Sequence, residues 1–593
     1  MPLTIGRFMQ VARGLLTPAR RSVGPGCARW LASVVTVLLL ASAASAPAAT
    51  SYVFPLKVSS NGRYLTDQND QPFLIVGDSP QGLITHLSLT EAETYFANRA
   101  GYGVDAVQIH LFAGPTFGGR TDFSTSDGIT PFTTSGDIST PRETYFARVD
   151  AVLQIAASHG IVVFLTAAET IDGLALFKSN GPTKCRAFGR YLGNRYKGVP
   201  NLVWNFGNDF QTWTDPVDNA VILAVSDGIR DNDSNHLHTI WLDYLLSASR
   251  DSPDWDSRIA VDFGYTYYPT YDVILRERAL SPAKPVFLGE ANYEAESLRG
   301  YVTTASVVRK QMWWAMTSGA TGHFYSNLTI WKFNSDWVAK LDSFEGLAEI
   351  PHLTQLCRDY GWETWAPDSS HSVLTAGYGT YAGFETGSID TNNYATAAIS
   401  ATRNVFVAYI PTQRQVTIDM SQLTAGTARC RWYDPRDGTF TAIGTFDTLG
   451  TRNFTPPDAS DWVLVLDVLP PPTGFYTLSP CRAADTRTAG SPLVANTTRT
   501  FPVAGKCLVP ADATAVALNL TVVNATDRGN LRVYPSGSAA PSTSAINFTA
   551  GTTRANNAVA QLGLSGQVNV RCIMPTGSIG TSDLVLDVVG YFK

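Results

Sequence analysis

The stretch PRETYFARVDAVLQIAASHGIVVFLTA, residues 141–167, contains one complete helix-to-strand repeat. Its first part, Pro141 to His159, carries apolar residues at helical spacing, and its second part, Ile161 to Ala167, is an apolar run of strand length. Strands of a parallel sheet are covered on both faces and read as continuous apolar runs. The stretch therefore predicts one helix and one strand of a parallel α/β fold.

The same alternation continues from residue 55 to about residue 365. One of the helical stretches, Thr90 to Arg99, opens with Thr90 and Glu93 at the spacing of a capping box. Eight strands are predicted: Phe73–Gly77, Val104–Phe112, Ile161–Ala167, Asn201–Phe206, His238–Leu242, Ile259–Tyr265, Pro285–Gly289 and Ala320–Tyr325. Eight such repeats predict a closed (β/α)8 TIM barrel over residues 52–366.

The pattern of apolar and turn residues changes after the predicted barrel. Residues 370–469 contain short alternating runs separated by turn residues, which predicts a β-sandwich companion domain. Three consecutive prolines at 470–472 predict a stiff linker, because such runs favour an extended conformation. Residues 473–593 contain only two lysines and further strand-like runs, so we expect a second all-β module there.

The N-terminus predicts export from the cytoplasm. Several arginines precede an apolar run from Trp30 to Ala41, and small residues at 44–46 follow it, which is typical of a secretory signal peptide over 1–46. An uncleaved anchor is the alternative, because Pro47 directly follows Ala46. We expect a secreted, extracellular or periplasmic protein without a membrane span after cleavage. In an oxidising compartment, cysteines without CxxC spacing favour a disulfide such as Cys481 with Cys507 over zinc.

Composition excludes two classes of protein. Hydrophobic residues make up 44% of the 593 residues, which is too many for wholesale disorder. The net charge is −6, so no basic surface for nucleic acid is indicated.

Functional side chains of a TIM barrel lie at the carboxyl ends of its strands. NLVWNFGND, residues 201–209, ends at Asp209, and KPVFLGE, residues 284–290, ends at Glu290. These carboxylates follow strands four and seven, from which both can flank one scissile bond, as glycoside hydrolysis requires. The alternative for Asp209 is that it caps the helix beginning near Asp215.

Other polar or aromatic residues end the remaining strands, and we expect them to contact the substrate. They are Asp78, Gln108, His110, Glu169, Asn208, Asp243, Tyr265, Tyr267, His323 and Tyr325. No HExxH motif or close carboxylate–histidine spacing accompanies the histidines, so neither a metal nor another cofactor is predicted.

Several segments resemble one family of retaining (β/α)8 glycoside hydrolases, the apiosidase-like family, whose members are also described as collagenases or collagen-binding proteins. The similar segments are NGRYLTDQNDQPFLIVGDSPQGLI, YGVDAVQIHLF, the GND after strand four, the LGE of strand seven, SGATGHFYSN, and WYDPRDG in the sandwich. The resemblance implies Asp209 as acid/base, Glu290 as nucleophile, and Asn208 as the group that reaches the sugar hydroxyl beside the anomeric carbon.

The sequence thus predicts a secreted glycoside hydrolase with a polysaccharide or oligosaccharide as its partner and no cofactor. The resemblance favours a pentofuranoside such as apiose or arabinose in a cell-wall polymer. The competing hypothesis is a non-catalytic protein that binds polysaccharide or collagen. Collagen proteolysis ranks last, because neither a metal motif nor a nucleophile triad supports it.

Overall fold

The computed structural model describes residues 52–469 and 474–593. The predicted signal peptide and the proline linker lie outside these described residues. The described chain forms two units: residues 52–354 with 382–391, and residues 355–381 with 392–469 and 474–593. The decapeptide 382–391, which the sequence assigned to the companion domain, therefore belongs to the first unit.

The first unit is built on an eight-stranded sheet that confirms the predicted barrel-type fold. Its strands are β4 (Ile75–Asp78), β5 (Ala106–His110), β6 (Val162–Glu169), β7 (Leu202–Gly207), β8 (Leu246–Ala248), β9 (Asp262–Thr266), β10 (Val286–Glu290) and β13 (Gly322–Tyr325). Their order is β7-β6-β5-β4-β13-β10-β9-β8, and all neighbours are parallel except β8 with β9. The remaining strands of this unit are β1 (Lys57–Val58), β2 (Leu65–Thr66), β3 (Pro72–Phe73), β11 (Ser297–Leu298) and β12 (Tyr301–Val302).

The predicted fifth strand, His238–Leu242, is reduced to two isolated parallel bridges with β7. These bridges join Trp204 to His238 and Gly207 to Trp241. They place residues 238–241 beside β7, so Trp241 and the residues after it lie at the same end of the barrel as the end of β7.

Helices follow most strands. They are α1 (Leu83–His86), α2 (Leu89–Gly101), α3 (Glu143–Ser158), α4 (Leu174–Tyr196, kinked at Gly181), α5 (Pro216–Arg230), α6 (Pro253–Asp256), α7 (Thr270–Arg278), α8 (Ala305–Thr317) and α9 (Glu345–Asp359). The capping box of α2 is formed by Ser88 and Glu91 and not by the predicted Thr90 and Glu93. Glu93 contacts His159 instead. No described helix is long and apolar enough to cross a membrane.

A layer of aromatic side chains fills the barrel interior. Phe164, Phe263, Phe287 and Phe324 come from β6, β9, β10 and β13, and neighbouring rings lie 5.1–5.7 Å apart. Successive side chains of a strand point to opposite faces. This layer therefore shows which side chains of each strand enter the barrel and which face the helices.

The second unit contains four antiparallel sheets. The strands over 365–468 are β14 (Trp365–Pro367), β15 (Leu374–Ala376), β16 (Thr396–Ser400), β17 (Val405–Ile410), β18 (Val416–Asp419), β19 (Thr427–Tyr433), β20 (Phe440–Asp447), β21 (Thr451–Phe454) and β22 (Trp462–Val468). They form a six-stranded sheet, β14-β16-β17-β22-β19-β20, and a three-stranded sheet, β15-β18-β21. One continuous apolar core lies among these strands, as in a β-sandwich.

Residues 475–592 form the other two sheets. Their strands are β23 (Phe475–Asp485), β24 (Leu493–Val494), β25 (Thr498–Pro502), β26 (Ala515–Val523), β27 (Gly529–Pro535), β28 (Ile546–Phe548), β29 (Arg554–Gln561), β30 (Gln567–Ile573) and β31 (Thr581–Phe592). One sheet has the order β23-β31-β26-β29 with β24 on β31, and the other has the order β25-β30-β27-β28. The predicted disulfide is present, since Cys481 and Cys507 are bonded.

Candidate active site

Two carboxylates meet at the mouth of the barrel through a cluster of tyrosines. The Tyr265 hydroxyl lies 2.7 Å from Asp209 Oδ1 and 3.3 Å from Glu290 Oε1. Tyr267 donates to Glu290 Oε1 at 2.5 Å, and Tyr293 donates to Glu290 Oε2 at 2.8 Å. The Tyr265 hydroxyl contacts both carboxylates, so Asp209 Oδ1 and Glu290 Oε1 cannot be farther apart than the two distances added together, about 6 Å.

Burial raises the pKa of both carboxyl groups. For Asp209 the pKa rises to about 6, and the nearby charge of Asp243 adds to the rise while Tyr265 opposes it. For Glu290 the pKa lies well above its ordinary value. Burial is the main cause, the charge of Asp209 raises the pKa further, and the bonds donated by Tyr267 and Tyr293 lower it. Like charges this close are not both ionised near neutral pH, so the pair holds one proton.

The chain approaches Asp209 in a strained backbone conformation. Gly207, Asn208 and Asp209 have φ angles of 81°, 106° and 46° in succession. At Gly207 a Cβ would lie 2.2 Å from the Trp241 carbonyl oxygen, so this position requires glycine. Asp215 caps α5 through the backbone N–H groups of Val217 and Asp218. The alternative role of Asp209 as the cap of this helix is thereby ruled out.

Polar side chains line the interior above the phenylalanine layer. Gln108 and His110 point inward from β5, and both side chains are fully buried. Neither has a hydrogen-bond partner among the described residues, and the Asn208 side-chain oxygen also has none. Burial lowers the pKa of His110 to about 3, so its ring is neutral and offers one donor and one acceptor. These groups are positioned to bond hydroxyl groups of a ligand.

Aromatic rings connect this polar lining to the carboxylates. The His110 ring lies 4.5 Å from Phe117 and 6.2 Å from Trp241, and Trp241 lies 5.8 Å from Tyr265. The indole N–H of Trp241 is buried and unbonded within the described chain. Alternating aromatic faces and polar atoms are the combination that sugars require.

The rim near Asp209 contains Asp243 and Tyr244. Asp243 is half-buried and has a raised pKa, chiefly through burial. Tyr244 is 36% exposed, and its ring lies 5.7 Å from that of Tyr267. The structure thus brings together eight of the predicted site residues, whose catalytic and substrate-binding roles stay predictions. They are Asp209, Glu290, Gln108, His110, Asn208, Asp243, Tyr265 and Tyr267.

Four predicted substrate residues lie elsewhere. Asp78 is fully buried on the outer face of β4, where it accepts from Arg99 at 2.5 Å and Tyr95 at 2.8 Å. Phe324 occupies the barrel interior, so its neighbours His323 and Tyr325 face the helices. Tyr325 donates to Glu294 at 2.8 Å.

Glu169 is the fourth of these residues. Its carboxylate accepts from the backbone N–H groups of Ile171, Asp172 and Gly173, which hold the loop before α4. Burial raises its pKa to about 8. The expectation of substrate contact at Asp78, Glu169, His323 and Tyr325 is therefore corrected, because three of these side chains bond to the scaffold and His323 faces the helices.

Sequence reasoning missed several residues of the site. Tyr293 follows Glu290 by three residues in a loop, and Gln81 donates to its hydroxyl at 2.8 Å. Trp241 and Trp331 present buried, unbonded indole N–H groups. The proximity of Tyr293 to Glu290 and the place of Trp241 near the end of the predicted fifth strand were usable signals, whereas Gln81 and Trp331 are distant in sequence from both carboxylates.

The decapeptide 382–391, here called the strap, is bound beside the site. The Arg299 guanidinium donates to the Tyr267 carbonyl at 2.8 Å and to the Gly387 carbonyl at 3.3 Å, and it lies 3.7 Å from the Tyr268 ring. Lys310 donates to the carbonyl of Asp390 at 2.9 Å. Arg299 thus joins the strap to the residue whose hydroxyl holds Glu290.

Comparison with known families decides the classification. The family described as "Apiosidase-like, catalytic domain" matches residues 59–364, which is more than half of the chain. The chain belongs to the apiosidase-like family. A second family, "Putative collagen-binding domain of a collagenase", matches residues 387–467.

Solved structures support the same fold. A structure titled "Glycoside hydrolase" has a TM-score of 0.61 at 21% identity and covers 71% of this chain and 99% of its own. A glycoside hydrolase family 5 protein from Bacteroides vulgatus has a TM-score of 0.60 at 21% identity and covers 71% and 96%. No curated protein matches the chain. Family and fold together make this apiosidase-like protein a glycoside hydrolase.

Proposed function

We propose that the barrel hydrolyses glycosidic bonds with retention of configuration, with Glu290 as nucleophile and Asp209 as acid/base. The observation that carries this proposal is the bridging Tyr265 hydroxyl, which keeps the two carboxylate oxygens within about 6 Å. Retaining enzymes separate the two carboxyl groups by about 5–5.5 Å, whereas inverting enzymes need about 6.5–9.5 Å to admit a water molecule. An upper limit of about 6 Å between the nearest oxygens, Asp209 Oδ1 and Glu290 Oε1, supports the shorter separation.

Hydrogen bonds favour this division of roles. Glu290 accepts from Tyr267 and Tyr293, one phenol at each oxygen, while Asp209 accepts from Tyr265 alone. Burial keeps the pKa of all three phenols well above the ordinary value, so each remains a donor. Donated bonds stabilise the ionised form of a carboxylic acid. The proposed roles require the single proton of the pair to reside on Asp209 when substrate binds, and the two phenols on Glu290 favour that placement against the burial that raises the pKa of Glu290.

The chemistry follows in two steps. Glu290 attacks the anomeric carbon while Asp209 gives its proton to the leaving oxygen, which forms a glycosyl ester and releases an alcohol. Asp209, now ionised, removes a proton from water, and the resulting attack on the anomeric carbon restores Glu290. Asn208, Gln108 and His110 would bond hydroxyl groups of the sugar, with Asn208 next to the anomeric carbon.

We further propose that the substrate is a pentofuranoside, apiose or arabinose, in a cell-wall polysaccharide, and that the enzyme acts outside the cytoplasm. The family name supports the sugar class. The basic and apolar leader and the Cys481–Cys507 disulfide support export. The second family match makes binding of collagen or polysaccharide without catalysis the competing function.

Release of reducing sugar from a panel of plant and bacterial cell-wall glycans tests the proposal. Wild type, Asp209→Asn and Glu290→Gln are compared, with Asp231→Asn, a surface ion-pair residue on α5's end, as the matched control. Loss of activity in both site variants and retention in the control support hydrolysis. Proton NMR of the first product should show the anomeric configuration of the substrate. An inverted product contradicts retention, and binding without any release supports the competing function.

A further inference from the structure

The C-terminal strands 474–593 differ in charge from the rest of the chain. They contain nine basic residues and five aspartates, with no glutamate, for a net charge of +4, whereas the whole chain has a net charge of −6. Neither of the matched families extends into this region. The family matches therefore do not account for the positive net charge of this region, and its own surface residues must explain it.

Two of the nine basic residues face each other across neighbouring strands of one sheet. Arg532 of β27 stands directly opposite Arg571 of β30, and Thr498 of β25 stands opposite Arg571 on the other side. Their sequence neighbours on these strands, Leu531 and Cys572, are paired with each other and lie in the core. Because side chains alternate, both arginines project from the opposite, outer face.

The five aspartates of this region are engaged elsewhere. Asp485 and Asp587 pair with Arg482, and Asp512 pairs with Lys593. Asp527 accepts from Ser578, and Asp583 accepts from Thr486. No carboxylate of the described chain forms an ion pair with either Arg532 or Arg571 at the distances of the other pairs. Like charges directly opposite each other destabilise a sheet, so this face is arranged at a cost in stability.

Unbonded polar atoms gather on the same face. Within residues 474–593, the buried side-chain nitrogen and oxygen atoms without a partner are Arg532 Nε, Arg571 Nε and Asn530 Oδ1. Asn530 precedes Arg532 by two residues on β27 and therefore shares its face. Arg532 donates from Nη1 to the Pro541 carbonyl at 2.7 Å. Buried polar groups are normally bonded, so the three unbonded atoms mark a face on which the guanidinium groups keep donors that no described group accepts.

The chemistry of this face identifies the ligand class. We propose that the face, here called the arginine face and defined by Asn530, Arg532, Asn569, Arg571 and Thr498, binds a polysaccharide that carries uronic acid carboxylates. Guanidinium groups bond carboxylates in a bidentate manner, and the amide and hydroxyl groups of the other three suit sugar hydroxyls. The positive charge of the face is complementary to that polymer.

The test compares two polymers that differ only in charge. Full-length protein is titrated by calorimetry with polygalacturonate and with its fully methyl-esterified form. We expect the free acid to bind and the ester not to bind, because esterification removes the carboxylates. Arg532→Gln and Arg571→Gln should each weaken binding about tenfold or more, since each removes a charge-assisted bond. Lys593→Gln, which also removes one positive charge, should bind like wild type.

A conservative variant and a second polyanion distinguish specific carboxylate binding from general attraction between charges. Arg532→Lys should bind between wild type and Arg532→Gln, because it keeps the charge and loses the bidentate geometry. Equal binding of acid and ester, unchanged binding in both glutamine variants, or equal or tighter binding of duplex DNA would each overturn the proposal. Activity on a soluble glycoside should be unchanged in every variant, so the proposal does not depend on the proposed catalytic function.

Discussion

Replacement of Tyr267 by phenylalanine isolates one hydrogen bond to the proposed nucleophile. The change removes the donor 2.5 Å from Glu290 Oε1 and keeps the ring, which packs against Tyr265 at 5.5 Å. Glu290 is 5% exposed, so solvent does not replace the lost donor. A hydrogen bond to a charged group contributes about 1.5–3 kcal/mol.

That free energy converts to a pKa change of Glu290. One pKa unit corresponds to about 1.4 kcal/mol, so loss of the bond should raise the pKa of Glu290 by about one to two units. The nucleophile must be ionised, so the acidic limb of kcat/KM against pH should move to higher pH by the same amount. The basic limb, which depends on the proton of Asp209, should move less.

The assay is kcat/KM for an aryl glycoside over the whole pH range in which the protein stays folded. Tyr293→Phe should shift the acidic limb in the same direction, because its hydroxyl bonds the other oxygen of Glu290. Tyr102→Phe, whose hydroxyl contacts Asp342 on the surface, serves as control. An acidic limb that stays in place in both site variants would refute the assignment of Glu290 as the ionised partner.

Four other perturbations test the scaffold. Arg99→Leu leaves the buried Asp78 carboxylate without its cationic partner. The free energy of unfolding, measured by urea denaturation, should fall by about 3–5 kcal/mol. Burial and a nearby glutamate raise the pKa of Asp262, so the contribution of this group to stability falls as pH rises above about 4, and Asp262→Asn should melt higher than wild type at pH 8 but not at pH 4. Cys481→Ser opens a disulfide that spans 26 residues and should cost about 3–4 kcal/mol in calorimetry. Arg299→Met releases the strap and should shift the acidic limb as Tyr267→Phe does, but by less.

The strands that carry the carboxylates could be predicted because their apolar runs are continuous. Phe206 and Phe287 belong to runs that end at a charged residue, and such a residue can only lie where the barrel opens. The same rule selected Asp78 and Tyr325, which also end apolar strands. The rule failed there because the end of a strand fixes the position of a side chain along the barrel axis. It does not fix whether the side chain points into the barrel or towards the helices.

The strap was beyond prediction for a different reason. Residues 382–391 resemble the predicted sandwich in composition. They belong to the barrel unit, where their backbone carbonyls accept hydrogen bonds from Arg299 and Lys310. Backbone acceptors leave no trace in the side-chain pattern. Tyr293 was missed because it reaches the site from a loop without periodicity. Trp241 lies in the predicted strand His238–Leu242 and was missed because Asp243 was chosen as the functional residue at the end of that strand.

A glycine one or two residues before each of the two carboxylates explains how both side chains come to face the mouth. In β10, Phe287 points inward, so regular alternation would send Glu290 outward, but the pairing with β9 shifts register between Leu288 and Glu290. A Cβ on Gly289 would lie 2.4 Å from the Phe263 ring, so a larger residue at this shift in register would displace that ring. Such irregularities re-aim side chains near active sites. Gly207 does the same before Asp209 through its positive φ angle. The motifs GND and LGE therefore combine a carboxylate with the residue that turns it inward, which periodicity alone could not indicate.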